Sequence, residues 1–156
     1  SEMWIRDSYL LGLFDPTAEG QTEERFFGSY VYSLIPVIGT VKAGYGALAY
    51  EEDYGKEYAC VKDPENYFFL VVKGDSMEPR IHDGDLVAIR SQPEVENGEI
   101  AAVRIGEEAT LKHVYLHENF IELRPENPAF SSIILSREDM NAVVIEGKAV
   151  GLCRDI

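Results

Sequence analysis

Ser76 and Lys112 are the two residues whose types and surroundings could together do chemistry. Ser76 lies on the glycine-bearing turn Lys73-Gly74-Asp75-Ser76-Met77, directly after an apolar run at 67–72 that is typical of a strand. Lys112 follows 36 residues later (112 minus 76), inside the apolar run 109–115. A serine hydroxyl becomes a good nucleophile when a base accepts its proton, and a lysine is such a base only as the neutral amine. Burial favours that neutral form, so the two residues could form a nucleophile and its general base.

Strand geometry indicates how Lys112 could be buried. In an alternating strand Thr110, Lys112 and Val114 share one face, so an inward Lys112 would lie between two short side chains. The residues alone leave a second interpretation open. Lysine stems often cover apolar surface while the amine stays in water, and serines in turns often bond only to nearby backbone.

A Ser-His-Asp arrangement is a competing interpretation. His82 is close to Ser76 in sequence, and Asp83 and Asp85 are next to it. These residues occupy a polar turn, and the three groups would have to fold back on one another to form a triad.

Metal binding and paired carboxylates are weaker alternatives. His113 and His117 are four residues apart beside Glu118, a spacing that suits a metal on a helix, but this run has a strand pattern and lacks the HExxH order. Carboxylate pairs such as Glu107-Glu108 and Glu51-Glu52-Asp53 are typical of solvated surface. No metal or other cofactor is expected.

The composition limits the class of protein. The 156 residues favour one domain, and the net charge of −14 with a pI near 4.5 is the wrong sign for neutralising nucleic-acid phosphates. Cys60 and Cys153 are too few for a disulfide framework, which favours a reducing, cytoplasmic location. The apolar runs are short and no signal peptide is evident, so no membrane association is expected.

Short strands separated by turns predict a mainly β fold, as a barrel or a sandwich-like arrangement. Turn residues recur about every ten positions, as in Asp83-Gly84, Asn97-Gly98 and Ile105-Gly106, and His117-Glu118-Asn119 is expected to close a hairpin. The predicted strands are 67–72, 85–90, 99–105, 109–116, 120–124, 132–135 and 143–152.

The first 33 residues are less regular. The polar, acidic stretch 18–25 has the composition of a linker. The start Ser1-Glu2-Met3 is expected for an expressed fragment, with a further domain upstream.

Six stretches, in order, resemble one family. They are Ile35-Pro36-Val37-Ile38-Gly39-Thr40-Val41-Lys42-Ala43-Gly44; Gly74-Asp75-Ser76-Met77 followed by Asp83-Gly84-Asp85-Leu86; Asn97-Gly98-Glu99-Ile100; Ala109-Thr110-Leu111-Lys112; Leu123-Arg124-Pro125-Glu126-Asn127; and Ile145-Glu146-Gly147-Lys148-Ala149-Val150-Gly151. From Ile35 to Arg154 the chain resembles the self-cleaving C-terminal domain of LexA-type repressors, in the Ser/Lys peptidase family that includes phage repressors and UmuD. The resemblance implies a compact multi-stranded β fold of the LexA and signal-peptidase kind, with a mobile cleavage loop.

The resemblance also implies a site and a reaction. Ser76 would be the nucleophile of a serine endopeptidase, Lys112 its general base, and the backbone N–H groups of Asp75 and Ser76 the oxyanion donors. The substrate would be the Ala43-Gly44 bond of the same chain. Those two residues alone would suggest only a flexible turn, although their small size suits entry into a narrow cleft.

Organisation and partners follow from the same resemblance. Residues 1–33 would be a linker and the end of a missing N-terminal helix-turn-helix domain, which Tyr9-Leu10-Leu11-Gly12 resembles; 34–50 would be the cleavage-site region, and 51–156 the self-cleavage and dimerisation domain. A homodimer is expected, with the apolar C-terminal strand 149–153 as its edge.

In this family a RecA-nucleoprotein filament induces cleavage in the DNA-damage (SOS) response, and operator DNA is bound only through the N-terminal domain. Two alternatives remain open from the sequence. One is a UmuD-like accessory subunit of an error-prone polymerase, and the other is a dimerisation module of the same fold that does not cleave.

Overall fold

The computed structural model describes residues 3–4, 24–27, 30–39, 53–106 and 108–154. Within these ranges the chain forms eleven strands and two short 3-10 helices, Pro64–Asn66 and Met140–Ala142. The strands are β1 Met3–Trp4, β2 Glu24–Phe27, β3 Tyr30–Ile38, β4 Asp53–Cys60, β5 Tyr67–Val71, β6 Leu86–Ser91, β7 Ile100–Ile105, β8 Glu108–Leu116, β9 Phe120–Arg124, β10 Ile133–Ser136 and β11 Val143–Cys153. The predicted mainly β fold is confirmed.

All the described strands belong to one hydrogen-bonded sheet. Its order is β1-β4-β3-β5-β6-β11-β7-β8-β9-β10, and β2 pairs with β3 beside this path. The pairings are antiparallel except that of β3 with β5, where Val37 lies opposite Phe69 and Ile38 opposite Leu70. β3 therefore lies between two strands, β4 and β5, that both follow it in the chain.

Strand β11 joins the two halves of the sheet. Its first part, 143–148, pairs with β7, and its second part, 147–153, pairs with β6. The crossing is tight, because a Cβ built on Gly147 would lie 2.2 Å from the backbone oxygen of Arg90. Beyond Lys148, β6 is the only described strand that pairs with β11. On its other side, 149–152 pairs with no strand in the described part of the chain.

One buried cluster holds the two halves against each other. It combines Ile38, Phe68 and Ile89 from one half with Ala102 and Leu111 from the other. Met77, which follows Ser76, belongs to the same cluster and is 2% exposed. Each large apolar side chain buried in this way stabilises the fold by about 2 kcal/mol. The packing therefore brings the turn after β5 close to strand β8.

The predicted strands agree with the structure to within one residue at each end. The hairpin turn at 117–119 is also present, with the backbone N–H of His117 donating to the carbonyl of Phe120 at 2.9 Å. Strands β1 to β4 were not predicted, and β2 begins within the stretch 18–25 that was expected to be a linker. β4 has the sequence Asp-Tyr-Gly-Lys-Glu-Tyr-Ala-Cys, whose polar residues suggest a surface loop, yet Tyr58 and Ala59 are 1% and 0% exposed.

Some expectations fall wholly or partly outside the described residues. These include the end of an N-terminal domain in 1–33 and the cleavage bond Ala43-Gly44, so both stay predictions, as do the boundaries at 33 and 50. β3 runs across the first of these boundaries. Cys60 and Cys153 are not joined in a disulfide bond, and the described helices include none that is long and apolar enough to cross a membrane.

Candidate active site

The turn that carries Ser76 is fixed by hydrogen bonds to the following loop. The backbone N–H of Gly74 donates to Oδ1 of Asp83 at 2.7 Å, and Val72 accepts from the N–H of Gly84 and donates to the carbonyl of Asp85. Gly74 has φ +89°, a conformation that other residues rarely adopt, so the turn requires glycine there. Ser76 itself remains partly exposed. Its hydroxyl is therefore held in place and still accessible.

A second element contacts the same turn from the segment after β9. The backbone N–H of Asn127 donates to the carbonyl of Ser76 at 3.0 Å, and its side-chain Nδ2 donates to the carbonyl of Asp75, also at 3.0 Å. The turn is thus held from two sides, by Asp83 and by Asn127.

Lys112 reaches this turn from β8 and is 7% exposed. Its Nζ lies 3.1 Å from Oγ of Ser76, 2.7 Å from Oγ1 of Thr110 and 3.0 Å from the carbonyl oxygen of Leu111. The neighbour on the same strand face, Thr110, is one of the two short side chains that the alternating pattern placed beside Lys112. The structure thus brings together the serine and lysine singled out from the sequence.

The surroundings of Lys112 favour the neutral amine. Burial lowers the pKa of its ammonium group below the ordinary value of 10.5, and no carboxylate among the described residues forms an ion pair with it to oppose this effect. A neutral amine has two N–H bonds and one lone pair. The Leu111 carbonyl can only accept, and the Thr110 hydroxyl can accept as well, so the lone pair can point at the hydroxyl of Ser76. This arrangement suits proton removal from Ser76.

Two backbone donors beside Ser76 are available. Neither the N–H of Asp75 nor that of Ser76 donates to an acceptor in the described part of the chain. The preceding N–H, that of Gly74, is used by Asp83. Successive free N–H groups on a turn can bind an anionic oxygen, which is the arrangement that stabilises a tetrahedral intermediate.

A cleft of about 340 Å³ opens beside the serine. Its described lining comes from β5, from the turn and from β8, and includes Leu70, Val72, Met77 and Ala109 as well as Ser76. A groove of mixed polar and apolar lining between a strand and a turn can take an extended peptide, whose side chains contact the walls while its backbone passes the nucleophile.

The Ser-His-Asp interpretation gains no support from the contacts of His82. The His82 ring lies 2.6 Å from the carboxylate of Glu78, and its backbone N–H donates to Asp85. Asp85 is 2% exposed and receives two hydrogen bonds from Arg154. Burial acts to raise the pKa of Asp85, but the bonds from Arg154 and His82 outweigh it and leave the pKa lowered. These groups brace the loop after the turn against the end of β11.

The two histidines of β8 and its hairpin do not converge. His113 lies near Glu126 and bonds to the carbonyl of Gly98, whereas His117 stacks on Phe120. Among residues 3–4, 24–27, 30–39, 53–106 and 108–154 there is no group of three side chains able to hold a metal ion.

Sequence reasoning missed the contacts of Asn127 and the hydrogen bond that Lys112 donates to the Thr110 hydroxyl. Asn127 did stand in one of the six matching stretches, so its segment carried a signal, but nothing in the sequence indicated what its side chain would contact. The predicted cleavage residues, Ala43 and Gly44, lie outside the described part of the chain.

Three known proteins that are similar to this chain are all named LexA repressors. The LexA repressor of Geotalea uraniireducens is 40% identical over 133 residues, 83% of this chain and 65% of that protein. The LexA repressor of Syntrophomonas wolfei is 40% identical over 126 residues, and that of Desulfitobacterium hafniense 42% over 124; each alignment covers 78% of this chain, and 59% and 58% of the relative. The chain therefore spans about 60% of the length of these relatives.

The family comparison covers most of the sequence. The profile of the Peptidase S24-like family matches residues 36–150, which is 115 of 156 residues (150 minus 36, plus 1). The match includes the turn of Ser76, all of β8 and most of β11. With this coverage, and with relatives at about 40% identity, the chain belongs to the Peptidase S24-like family.

Proposed function

We propose that the chain is the self-cleaving, dimerising part of a LexA-type transcriptional repressor. One observation carries the catalytic part of this proposal: a buried lysine amine, with its pKa lowered and no described carboxylate partner, lies 3.1 Å from the hydroxyl of an accessible serine. A buried lysine serving only structure would more commonly be paired with an acid, because an unpaired buried cation is costly. The family membership supports peptide-bond hydrolysis as the reaction.

The proposed reaction has two steps. In the first, neutral Lys112 takes the proton of Ser76, and Oγ attacks the carbonyl carbon of Ala43. The N–H groups of Asp75 and Ser76 bind the resulting oxyanion. The C–N bond to Gly44 then breaks, and the Lys112 ammonium returns its proton to the departing amine.

In the second step, water replaces that amine. Lys112 takes a proton from the water molecule, and the hydroxide attacks the ester that joins Ala43 to Ser76. The ester breaks, Oγ regains a proton, and a new carboxyl terminus is left at Ala43. Proton transfers balance over the two steps, and no cofactor is required.

The repressor role rests on the relatives. Each relative quoted above is named a LexA repressor, and this chain covers only part of their length. We propose that operator DNA is bound by an N-terminal domain upstream of this chain, because the net charge of −14 opposes phosphate binding by this part. A RecA-nucleoprotein filament would induce cleavage in the DNA-damage response, in the cytoplasm. The cut would break the covalent link between the dimerising part and the DNA-binding part.

Wild-type protein tests the reaction directly. On incubation at alkaline pH, and at neutral pH with RecA filament, we expect two fragments under denaturing conditions, residues 1–43 and 44–156. Intact-mass measurement identifies the bond. A chain that stays whole in both conditions, or is cut at another bond, would contradict the proposal. The control is the Ser76→Ala variant incubated with RecA filament, which lacks the nucleophilic hydroxyl.

The side of β11 at 149–152 that pairs with no described strand supports the homodimer. A second copy could pair with this side antiparallel about a two-fold axis, which brings the same stretch of both copies together.

The edge pairing makes a prediction about Leu152, which is 37% exposed on β11. Leu152→Asp would place like charges together across the two-fold axis, so we expect the dimer dissociation constant to rise at least about 10-fold. Sedimentation equilibrium measures it. Ile134→Asp is the matched control, since Ile134 is 63% exposed on β10 at the far end of the sheet. Equal weakening by both variants, or by neither, would contradict pairing through β11.

A further inference from the structure

Asn127 makes two hydrogen bonds to consecutive carbonyls of the nucleophile turn. Its backbone N–H donates to Ser76 and its side-chain Nδ2 donates to Asp75, each at 3.0 Å. Asn127 and Asp75, which the side-chain hydrogen bond joins, are 52 positions apart in the chain. A contact between such distant segments fixes the turn relative to the end of β9, which pairs with the strand that carries Lys112.

The carbonyl that accepts from the Asn127 side chain belongs to a particular peptide group. The carbonyl of Asp75 and the N–H of Ser76 are the two ends of one planar amide. A donor that holds the carbonyl therefore holds the direction of the N–H as well. Hydrogen bonds through one amide also polarise each other, so a donor on the carbonyl makes the N–H a stronger donor. The N–H of Ser76 is one of the two proposed oxyanion donors.

The Asn127 side chain is itself held by its own turn. Its Oδ1 accepts from the N–H of Ala129 at 2.9 Å, and its carbonyl accepts from the N–H of Phe130 at 3.1 Å. The oxygen of the carboxamide is thereby directed at Ala129 and the nitrogen at Asp75. Both ends of the carboxamide are used, which leaves little freedom for rotation.

We propose that Asn127 is a positioning residue that orients and strengthens the Ser76 N–H as an oxyanion donor. This inference rests on the proposed self-cleavage. Among the described residues Asn127 forms no hydrogen bond with the Ser76 hydroxyl or the Lys112 amine, because its hydrogen bonds to the turn go to carbonyls. It acts on the oxyanion side of the reaction, and Lys112 acts on the proton side. The two contributions can therefore be separated by their dependence on pH.

Two variants remove the side-chain donor in different ways. Asn127→Asp keeps the shape and the acceptor for Ala129 but presents an oxygen to the Asp75 carbonyl. Asn127→Ala removes the group altogether. Loss of an oxyanion donor lowers rates by about 10²- to 10³-fold. The backbone N–H of Glu78 also donates to the Asp75 carbonyl, at 3.1 Å, so both variants keep the oxyanion donor and lose one of the two donors that hold this carbonyl. We therefore expect the self-cleavage rate at its alkaline plateau to fall about 10-fold or more in both variants. The pH midpoint of the profile should stay at the wild-type value.

Asn97→Ala is the matched control. Asn97 also makes two side-chain hydrogen bonds to backbone, to the N–H and carbonyl of Leu116, and it stands in a turn that does not line the cleft. It is expected to cleave at the wild-type rate. The melting temperatures of the Asn97 and Asn127 variants should be similar, since each loses partly exposed hydrogen bonds of modest net value.

A second measurement does not depend on self-cleavage. A fluorophosphonate phosphonylates Ser76 by attack of Oγ on phosphorus with loss of fluoride, and the phosphoryl oxygen occupies the oxyanion position. We expect labelling of both Asn127 variants to be slowed about as much as their cleavage, and that of Asn97→Ala to be unchanged.

The outcomes separate the two proposals. If wild type cleaves and labels but the Asn127 variants match it, the positioning role is wrong and self-cleavage stands. If wild type labels without cleaving and the variants label more slowly, self-cleavage is wrong and the role of Asn127 stands. If the pH midpoint shifts while the plateau rate is unchanged, Asn127 acts on the titration of Lys112 rather than on the oxyanion donor, and the inference is wrong. Absence of both labelling and cleavage in wild type would overturn both proposals.

Discussion

Ser76→Ala is expected to remain a single chain under every condition in which the wild-type protein is cut. The variant lacks the atom that would form the ester, so the loss should be at least about 1,000-fold and below detection in a one-day incubation. Denaturing gels and intact mass measure it, with and without RecA filament. Ser136→Ala, which removes an exposed hydroxyl on β10, is the control and should cleave normally.

Lys112→Met should have the same effect, because the hydroxyl then has no base. Nucleophile and base act as one unit, so the double variant should be no slower than either single variant. Lys62→Met, at an exposed lysine, serves as the control. Cleavage in Ser76→Ala, or normal cleavage in Lys112→Met, would assign the reaction to other groups.

The second large effect is the dependence of self-cleavage on pH. Only the neutral amine of Lys112 can accept the proton, so below its pKa the rate should rise about 10-fold per pH unit and then level off. Burial lowers the pKa of Lys112, so the midpoint should fall below the ordinary 10.5. Single-exponential fits to the intact fraction at each pH give the profile. Lys112→Arg, which stays protonated, should show no activity across the range. A profile that falls as the pH rises would exclude Lys112 as the base.

The same pKa shift affects stability, with a defined sign. Between the lowered pKa of Lys112 in the folded chain and 10.5 in the unfolded chain, the unfolded state binds more protons. The free energy of unfolding should therefore increase with pH across this window relative to Lys112→Met. Both proteins should carry Ser76→Ala to prevent cleavage, and urea unfolding gives the comparison. An opposite slope would indicate that Lys112 is stabilised as a cation.

The sequence predicted the strands of the second half well because their signals are local. The residues of β5 to β11 either alternate between apolar and polar types or are continuously apolar, and glycine-containing turns such as Asp83-Gly84 separate the strands. The pairing of Ser76 with Lys112 needed the family resemblance, because a serine on a turn and a lysine in a strand are each common without function. The structure supplies the 3.1 Å contact that neither residue could indicate alone.

Long-range contacts account for what the sequence did not predict. β4 is polar in composition, and its burial depends on the neighbouring β3, so no local pattern marks it as a strand. The contact of Asn127 with Asp75 depends on how β9 pairs with β8 and how the turn follows β5. Asparagine before proline is an ordinary turn signal, and that signal does not identify the segment that the side chain meets.

The position of β3 changes what a cut after Ala43 would accomplish. β3 ends at Ile38, five residues before the proposed cut (43 minus 38), and it lies between β4 and β5, which both come after the cut. Ile35 and Ile38 are 0% exposed. Hydrolysis would therefore leave a nicked sheet, in which the upstream piece is still held by backbone hydrogen bonds and apolar contacts, as in a reassembled split protein. The proposed DNA-binding domain upstream of β3 would be released only when that strand leaves the sheet. The lifetime of the nicked complex, rather than the breaking of the peptide bond, would therefore set when a bivalent repressor dissociates from its operator.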